Sequence, residues 1–151
     1  MSQSLSKLYV HLVFHIKCNS CTIRKQESKR LYAYMGKLMQ AHNSIPIIIN
    51  GVDNHVHIFL VLSKNIALAD LVKDIKRKSS RWIKTLDSYY QGFAWQGGYG
   101  AFSVSSSLYN KTKQYIANQE VHHAKRTFEE EYVMFLKEYA VEFDERYLWR
   151  D

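Results

Sequence analysis

Asp53-Asn54-His55-Val56-His57-Ile58-Phe59-Leu60-Val61-Leu62 decides how the rest of the chain is read. Val56, Ile58, Leu60 and Leu62 alternate with His55, His57, Phe59 and Val61, and a period of two is the signature of a strand. Residues two apart on a strand share a face. His55 and His57 therefore stand side by side, with Cβ atoms about 7 Å apart at a rise of about 3.3 Å per residue. Val56 and Ile58 point the other way, into a core. Two imidazoles so placed can converge on one cation at roughly 2.0–2.2 Å each. On spacing alone, two ordinary, partly buried histidines are the commoner reading.

Upstream, Leu8 to Ile16 also alternates: Val10, Leu12, Phe14 and Ile16 fall on one face and Tyr9, His11, Val13 and His15 on the other. If this strand lies beside the His55 strand, His11 and His15 share the imidazole face and can touch substrate. From about Glu27 to Asn43, Leu31, Tyr34, Met35, Leu38 and His42 recur at helical spacing, and Pro46 blocks continuation. Ile47-Ile48-Ile49 reads as a strand. Asn50-Gly51 and Asp53-Asn54 are rival turns before the next one. Downstream, Leu68, Leu71, Val72, Ile75, Trp82 and Ile83 mark a strongly amphipathic helix over 67–84, with Lys73, Lys76, Arg77, Lys78, Arg81 and Lys84 on its polar face. Gly92, Gly97, Gly98 and Gly100 punctuate short extended segments around Phe93–Trp95 and Tyr99–Val104. Ser105 to Ser107 are candidate caps for a helix from about Leu108 towards Lys125. Thr127-Phe128-Glu129-Glu130 fits a capping box opening a last helix to about Tyr139. This order predicts an α+β, ferredoxin-like (split βαβ) antiparallel sheet with helices on one face. The other face must be covered by a partner, a ligand or another part of the chain.

The chain has 151 residues, 46% of them hydrophobic, enough for one domain, 1–151, with a sizeable core. No apolar run approaches the roughly 20 residues of a membrane span, and Met1-Ser2-Gln3-Ser4 has no signal pattern, so a cytoplasmic protein is expected. The formal charge of +7 favours an anionic partner, nucleic acid above all. Lys76, Arg77, Lys78 and Arg81 are candidate phosphate contacts, which position DNA without reading its sequence. Cys18 and Cys21 have C-x-x-C spacing, but a zinc ribbon needs a second pair and a redox motif should open a helix after a strand.

Tyr115-Ile116-Ala117-Asn118-Gln119 places Tyr115 and Gln119 at i and i+4 on one helix face. A free tyrosine is only about one part in a thousand ionised at pH 7. A nearby cation would favour its phenolate and polarise a phosphate. Gln119 offers a hard amide oxygen, and two imidazoles with an amide oxygen suit Mg²⁺ or Mn²⁺ with positions open for substrate. Zinc is less favoured, because no thiolate or carboxylate joins the set. His122 and His123 follow on the same helix. Either can ligate metal or contact phosphate, although a solvated place at the negative end of a helix is the commoner fate.

These segments jointly resemble the single-tyrosine HUH transposases of small bacterial insertion sequences, including the REP-associated tyrosine transposases. The resemblance runs through Tyr9 to His15, Asp53 to His57, Lys76-Arg77-Lys78-Ser79-Ser80, Trp95-Gln96, Phe102 to Ser105, and most specifically Tyr115 to Gln119 with His122-His123 and Thr127 to Glu130. It implies a C-terminal catalytic helix, with His55, His57 and Gln119 binding the divalent ion. It implies that Tyr115 attacks single-stranded DNA at hairpin-bearing element ends, leaving a 5′-phosphotyrosine and a free 3′-OH. It further implies a homodimer, with active sites completed in trans, in a bacterial, nucleoid-associated setting. Gly97, Gly98 and Gly100 would let the tyrosine helix move. The competing readings are a rolling-circle-type nickase, which usually carries further domains, and a non-catalytic nucleic-acid-binding domain, which gives no reason for the His55/His57 and Tyr115/Gln119 pairs.

Overall fold

The computed structural model describes residues 2–149. Four strands, β1 (Tyr9–His15), β2 (Ile45–Gly51), β3 (His55–Val61) and β4 (Gly100–Val104), form one sheet in the order β2-β3-β1-β4. Every pairing is antiparallel. This is the split βαβ order, with α1 (Lys25–Ala41) and α2 (Leu68–Ile83) as its crossovers. The β2–β3 turn falls at residues 52–54, so of the two rival turns Asp53-Asn54 is used. Gly51 ends β2 where a Cβ would lie 2.2 Å from the His55 carbonyl oxygen, so no larger residue fits that approach.

The alternation that defined β1 and β3 is reproduced as two packed faces. Leu12, Phe14, Val56, Ile58 and Leu60 face α1 and α2 and meet Leu31, Met35, Met39, Leu71, Val72 and Ile75. Trp95 packs edge-on against Phe14 at 4.7 Å and donates its indole N–H to Ser79 Oγ at 3.0 Å. The opposite face is covered by the chain's own C-terminal third: α3 (Tyr109–Ala117), α4 (Gln119–His123), α5 (Phe128–Glu138) and the short α6 (Glu145–Leu148). Phe128, Tyr132, Phe135 and Leu136 of α5 close over Val13 and Phe102, and Ile116 closes over Phe59 and Val104.

Three local expectations are corrected. The helix expected from Leu108 towards Lys125 breaks at Asn118, because Asn50 Nδ2 donates to the carbonyls of Ile116 (2.9 Å) and Ala117 (3.2 Å) and holds the end of α3 down on β2. Ser105 starts a 3-10 turn over Ser106–Leu108 without a side-chain cap bond. Gly100 is no hinge: it is buried in β4, where a Cβ would stand 2.9 Å from the Tyr132 hydroxyl, and its bareness lets α5 approach the sheet. No helix among the described residues is long and apolar enough to cross a membrane.

Candidate metal centre and nucleophile

β3 and β1 are the two central strands, so the face they present beneath α3–α5 lies at the middle of the sheet. His55 and His57 project from it side by side, both fully buried. His55 Nδ1 lies 2.8 Å from Asn54 Oδ1, and its ring stacks on Phe128 at 4.2 Å. His57 Nδ1 lies 2.8 Å from His11 Nε2. His11 therefore supports a site histidine and stays buried, with the edge of Phe135 5.2 Å away. His15 bonds to the Ile16 carbonyl and sits between Phe128 and Trp149, away from the cluster.

From above, α4 and α5 bring in three more side chains. Gln119 is fully buried, with Oε1 at 3.3 Å from His55 Nε2 and 3.1 Å from His123 Nε2. Glu131, also fully buried, sets Oε1 at 2.9 Å from His57 Nε2, 3.2 Å from His123 Nε2 and 3.6 Å from His55 Nε2. One ligand atom from each of His55, His57, His123 and Glu131 lies within 4.8 Å of all the others. Donor atoms about 2.1 Å from a single cation stand roughly 3.0 Å apart at right angles and about 4.2 Å apart across it. The separations found here are of that kind, so the residues present fit a divalent cation.

Tyr115 completes the picture. Its hydroxyl donates to Glu131 Oε2, the oxygen turned away from the imidazoles, and its ring stacks on His122 at 4.4 Å. Within this one chain, Tyr115 lies against the cluster formed by the same chain's histidines.

The electrostatics follow from burial. His57 is pushed down to about 4 by burial, against the pull of Glu131. His11 is lowered by burial and then by His57. Burial alone would raise the Glu131 carboxyl, but the facing histidines outweigh it and hold it well below the usual carboxylate range. Burial pushes the Tyr115 phenol up, and the bond to Glu131 pushes it further. Without an added positive charge the tyrosine stays protonated beside an anion.

His123, for which the sequence leaves both metal ligation and a solvated helix end open, turns inward, and Glu131 escapes the sequence reading. Glu131 follows the capping box, which forms as expected between Thr127 and Glu130. The signal for Glu131 is its spacing: Phe128, Glu131, Tyr132 and Phe135 fall at i, i+3, i+4 and i+7, so an acid occupies the apolar stripe of its helix.

The basic residues lie elsewhere. α2 packs on the sheet face opposite the histidines. Lys76 is half-buried there, donating to the Gln96 and Gly98 carbonyls at 2.6 Å each, and burial pushes its ammonium down to about 8. Lys76 is therefore committed to the loop before β4 and is not a free phosphate contact. Lys78 pairs with Asp74 at 3.1 Å, Arg77 stands 3.8 Å from the same carboxylate, and Arg81 is exposed. Nearer the nucleophile, a cleft of about 300 Å³ between α3 and α5 is lined by His11, Lys111, Thr112 and Tyr115. Cys18 and Cys21, which form no disulfide, lie on the loop after β1, outside the cluster.

A ferredoxin-like sheet with paired histidines on a central strand and a tyrosine helix laid across them defines the architectural class. Residues 4–119 match the family described as "Transposase IS200 like", and the chain belongs to that family. No curated protein matches the sequence. Among solved structures, the chain is similar to a Deinococcus radiodurans R1 protein assigned as a transposase, with a TM-score of 0.60 and 20% identity over 79% of this chain and 98% of the other. It is also similar to the REP-associated tyrosine transposase bound to a REP hairpin, with a TM-score of 0.60 and 13% identity over 82% of this chain and 74% of that one.

Proposed function

We propose that this protein cuts and rejoins single-stranded DNA at hairpin-bearing element ends, with Tyr115 as the nucleophile and a divalent ion held by His55, His57 and Gln119. The observation that carries this reading is the placement of the Tyr115 hydroxyl, one carboxylate away from a cluster of buried imidazoles. A bound cation would polarise the scissile phosphate and favour the phenolate that the bare site disfavours. His11 fixes the orientation of His57, and Asn54 that of His55. Gln119, anchored one turn after Tyr115, ties the nucleophile helix to the ligand set. Tyr115 attacks phosphorus, the bond to the 3′-oxygen breaks, and a 5′-phosphotyrosine and a 3′-OH result. Attack of a second 3′-OH on the phosphotyrosine rejoins the strand.

Binding of a REP hairpin by a structural neighbour supports a hairpin as the recognised feature here. The ion is Mg²⁺ or Mn²⁺ if the two imidazoles and the amide oxygen alone decide. The family resemblance supports a homodimer in which the tyrosine helix is either kept over its own histidines or exchanged with the partner.

The test is incubation of the protein with hairpin-bearing single-stranded oligonucleotides and Mn²⁺, followed by denaturing electrophoresis. A covalent protein–DNA band that vanishes with EDTA and with Tyr115→Phe is expected. Persistence of the band in Tyr115→Phe excludes this nucleophile, and persistence in EDTA excludes the metal.

A further inference from the structure

The family match ends at Gln119, yet two donors close the centre from beyond it: His123 on α4 and Glu131 on α5. We propose that Glu131 joins the bound cation to the nucleophile. Its Oε1, together with His123 Nε2, completes the coordination begun by His55, His57 and Gln119, and its Oε2 holds Tyr115 and takes its proton. This inference rests on the reading of Tyr115 as nucleophile and of His55 and His57 as ligands.

The convergence of ligand atoms in the cluster argues for a cation. Asn54 Oδ1 only accepts, so His55 Nδ1 is the donor of that pair and Nε2 is the ring atom turned towards the cluster. It faces Gln119 Oε1 at 3.3 Å and Glu131 Oε1 at 3.6 Å. The Gln119 amide is oriented by its NH₂ group, which faces the Tyr115 carbonyl at 3.5 Å. His57 and His123 crowd the same carboxylate oxygen. A carboxylate buried among imidazoles without a permanent counter-charge is unfavourable. Glu131 forms its ion pairs with His55, His57 and His123. One cation resolves all of these contacts at once.

The enlarged set also changes which cation is preferred. Three imidazoles, a carboxylate and an amide oxygen form a nitrogen-rich site, which favours Mn²⁺ and the later divalent metals over Mg²⁺. The carboxylate missing from the sequence reading is the group that moves the preference.

The two oxygens of Glu131 give it a part in the chemistry. The Tyr115 O–H bond breaks and its proton passes to Oε2. The freed electron pair attacks phosphorus. The 3′-oxygen leaves with the pair of the broken P–O bond and is protonated by water, and Glu131 returns its proton to the solvent. In the rejoining step the sequence runs backwards and Tyr115 recovers its proton.

The experiment measures Mn²⁺ binding to the metal-stripped full chain by calorimetry and electron paramagnetic resonance. The proteins are the wild type, His57→Ala, His123→Ala, Glu131→Gln and Tyr115→Phe, with circular dichroism verifying each fold. The wild type should bind one Mn²⁺ more tightly than Mg²⁺, and Tyr115→Phe should bind it equally well. His123→Ala and Glu131→Gln should each weaken binding by more than about tenfold. Glu131→Gln should also shift the visible absorption of the Co²⁺-loaded protein. At saturating Mn²⁺, Glu131→Gln should slow adduct formation by about a hundredfold or more, with the KM for hairpin DNA unchanged. If Glu131→Gln and His123→Ala bind Mn²⁺ like the wild type while His57→Ala does not, the wider ligand set is overturned and the proposed function stands. If Glu131→Gln cleaves at the wild-type rate under saturation, its role as proton acceptor is overturned. If wild type and His57→Ala bind equally, the metal reading of the function fails with it.

Discussion

The two faces of the sheet are built from alternate residues of the same strands, and they are equally buried, but their interiors differ in kind. On one, Leu12, Phe14, Val56, Ile58 and Leu60 are sealed against α1 and α2. Burial of each large apolar side chain there contributes about 1.5–3 kcal/mol. On the other, His11, His55, His57, Gln119 and Glu131 are just as inaccessible, set within an apolar frame of Val13, Phe59, Phe102, Val104 and Ile116. Among the described residues, no buried side-chain polar atom lacks a partner, so the polar face is satisfied but only by groups that converge on one another. The first face is held by apolar burial; the second adds to its apolar frame a polar cluster whose geometry fits a cation.

The sharpest break in that comparison is a mixing experiment. Tyr115→Phe keeps the proposed metal cluster without the proposed nucleophile, and His57→Ala keeps the proposed nucleophile over a damaged cluster. Because Tyr115 reaches the Glu131 of its own chain, neither variant should form the covalent adduct alone, and the mixture should also yield none. Recovery of the adduct on mixing would show that the tyrosine helix is exchanged between subunits.

Next in size is a pair of neighbouring substitutions on β3 that point to opposite faces. Ile58→Ala should lower unfolding stability by about 2–4 kcal/mol and leave Mn²⁺ affinity unchanged once the protein is folded. His57→Ala should abolish tight Mn²⁺ binding and change the stability of the metal-free protein far less. Denaturant titration with and without Mn²⁺ reads both. Equal metal-free losses would mean that the polar face is also a stability core.

That contrast also shows how much could be read from the chain. The strict alternation in β1 and β3 gave both faces, because a strand has only two sides and a helix-packed side must be apolar. The amphipathic pattern of α2 likewise marked its inner face. What stayed hidden depended on contacts between distant residues. The break at Asn118 is set by Asn50, more than sixty residues away, while the local pattern reads as a continuous helix. Glu131 was absorbed into a run of acids that begins with a capping box, although its spacing with Phe128, Tyr132 and Phe135 already placed it inward. His123 reads as helix-end solvent until α5 folds back over it. Lys76 reads as a member of a solvated basic face until the Gln96 and Gly98 carbonyls are seen to claim it.

Acid should weaken the polar face before the apolar one. The folded pKa of His57, about 4, lies below the unfolded value of 6.5. Between these values the unfolded chain binds more protons, so stability falls as pH drops from 6.5 towards 4. Burial of His11 acts in the same direction. A loss on the order of 1–3 kcal/mol is expected across this window for the metal-free protein, measured by denaturant midpoints at successive pH values. A flat profile would mean that the histidines are not held neutral in the folded state.

A smaller effect should come from Gly100→Ala. The added methyl would sit 2.9 Å from the Tyr132 hydroxyl and 3.1 Å from its ring, so Tyr132 and the start of α5 must shift. The expected cost is about 1–2 kcal/mol. Because Glu131 is the adjacent residue, Mn²⁺ binding should weaken as well. A stability loss with unchanged metal affinity would uncouple α5 from the centre.

The smallest expected effect tests the outer surface of the apolar half. Arg81 lies exposed on α2, on the far side of the sheet from Tyr115. Removal of a solvated charge usually changes stability by less than about 0.5 kcal/mol. If hairpin DNA runs along this helix, Arg81→Ala should weaken binding uniformly across hairpin sequences and reduce the salt slope by about one. Metal affinity and the rate of adduct formation at saturating DNA should be untouched. The same measurement on Lys111→Ala, beside the nucleophile cleft, gives the reference for a cation on the catalytic side. If only Lys111→Ala alters the salt slope, the DNA keeps to the polar face and the α2 cations serve solubility. If both do, the strand must pass around the sheet edge, and the apolar half contributes to binding through its outer helix while its inner face stays closed.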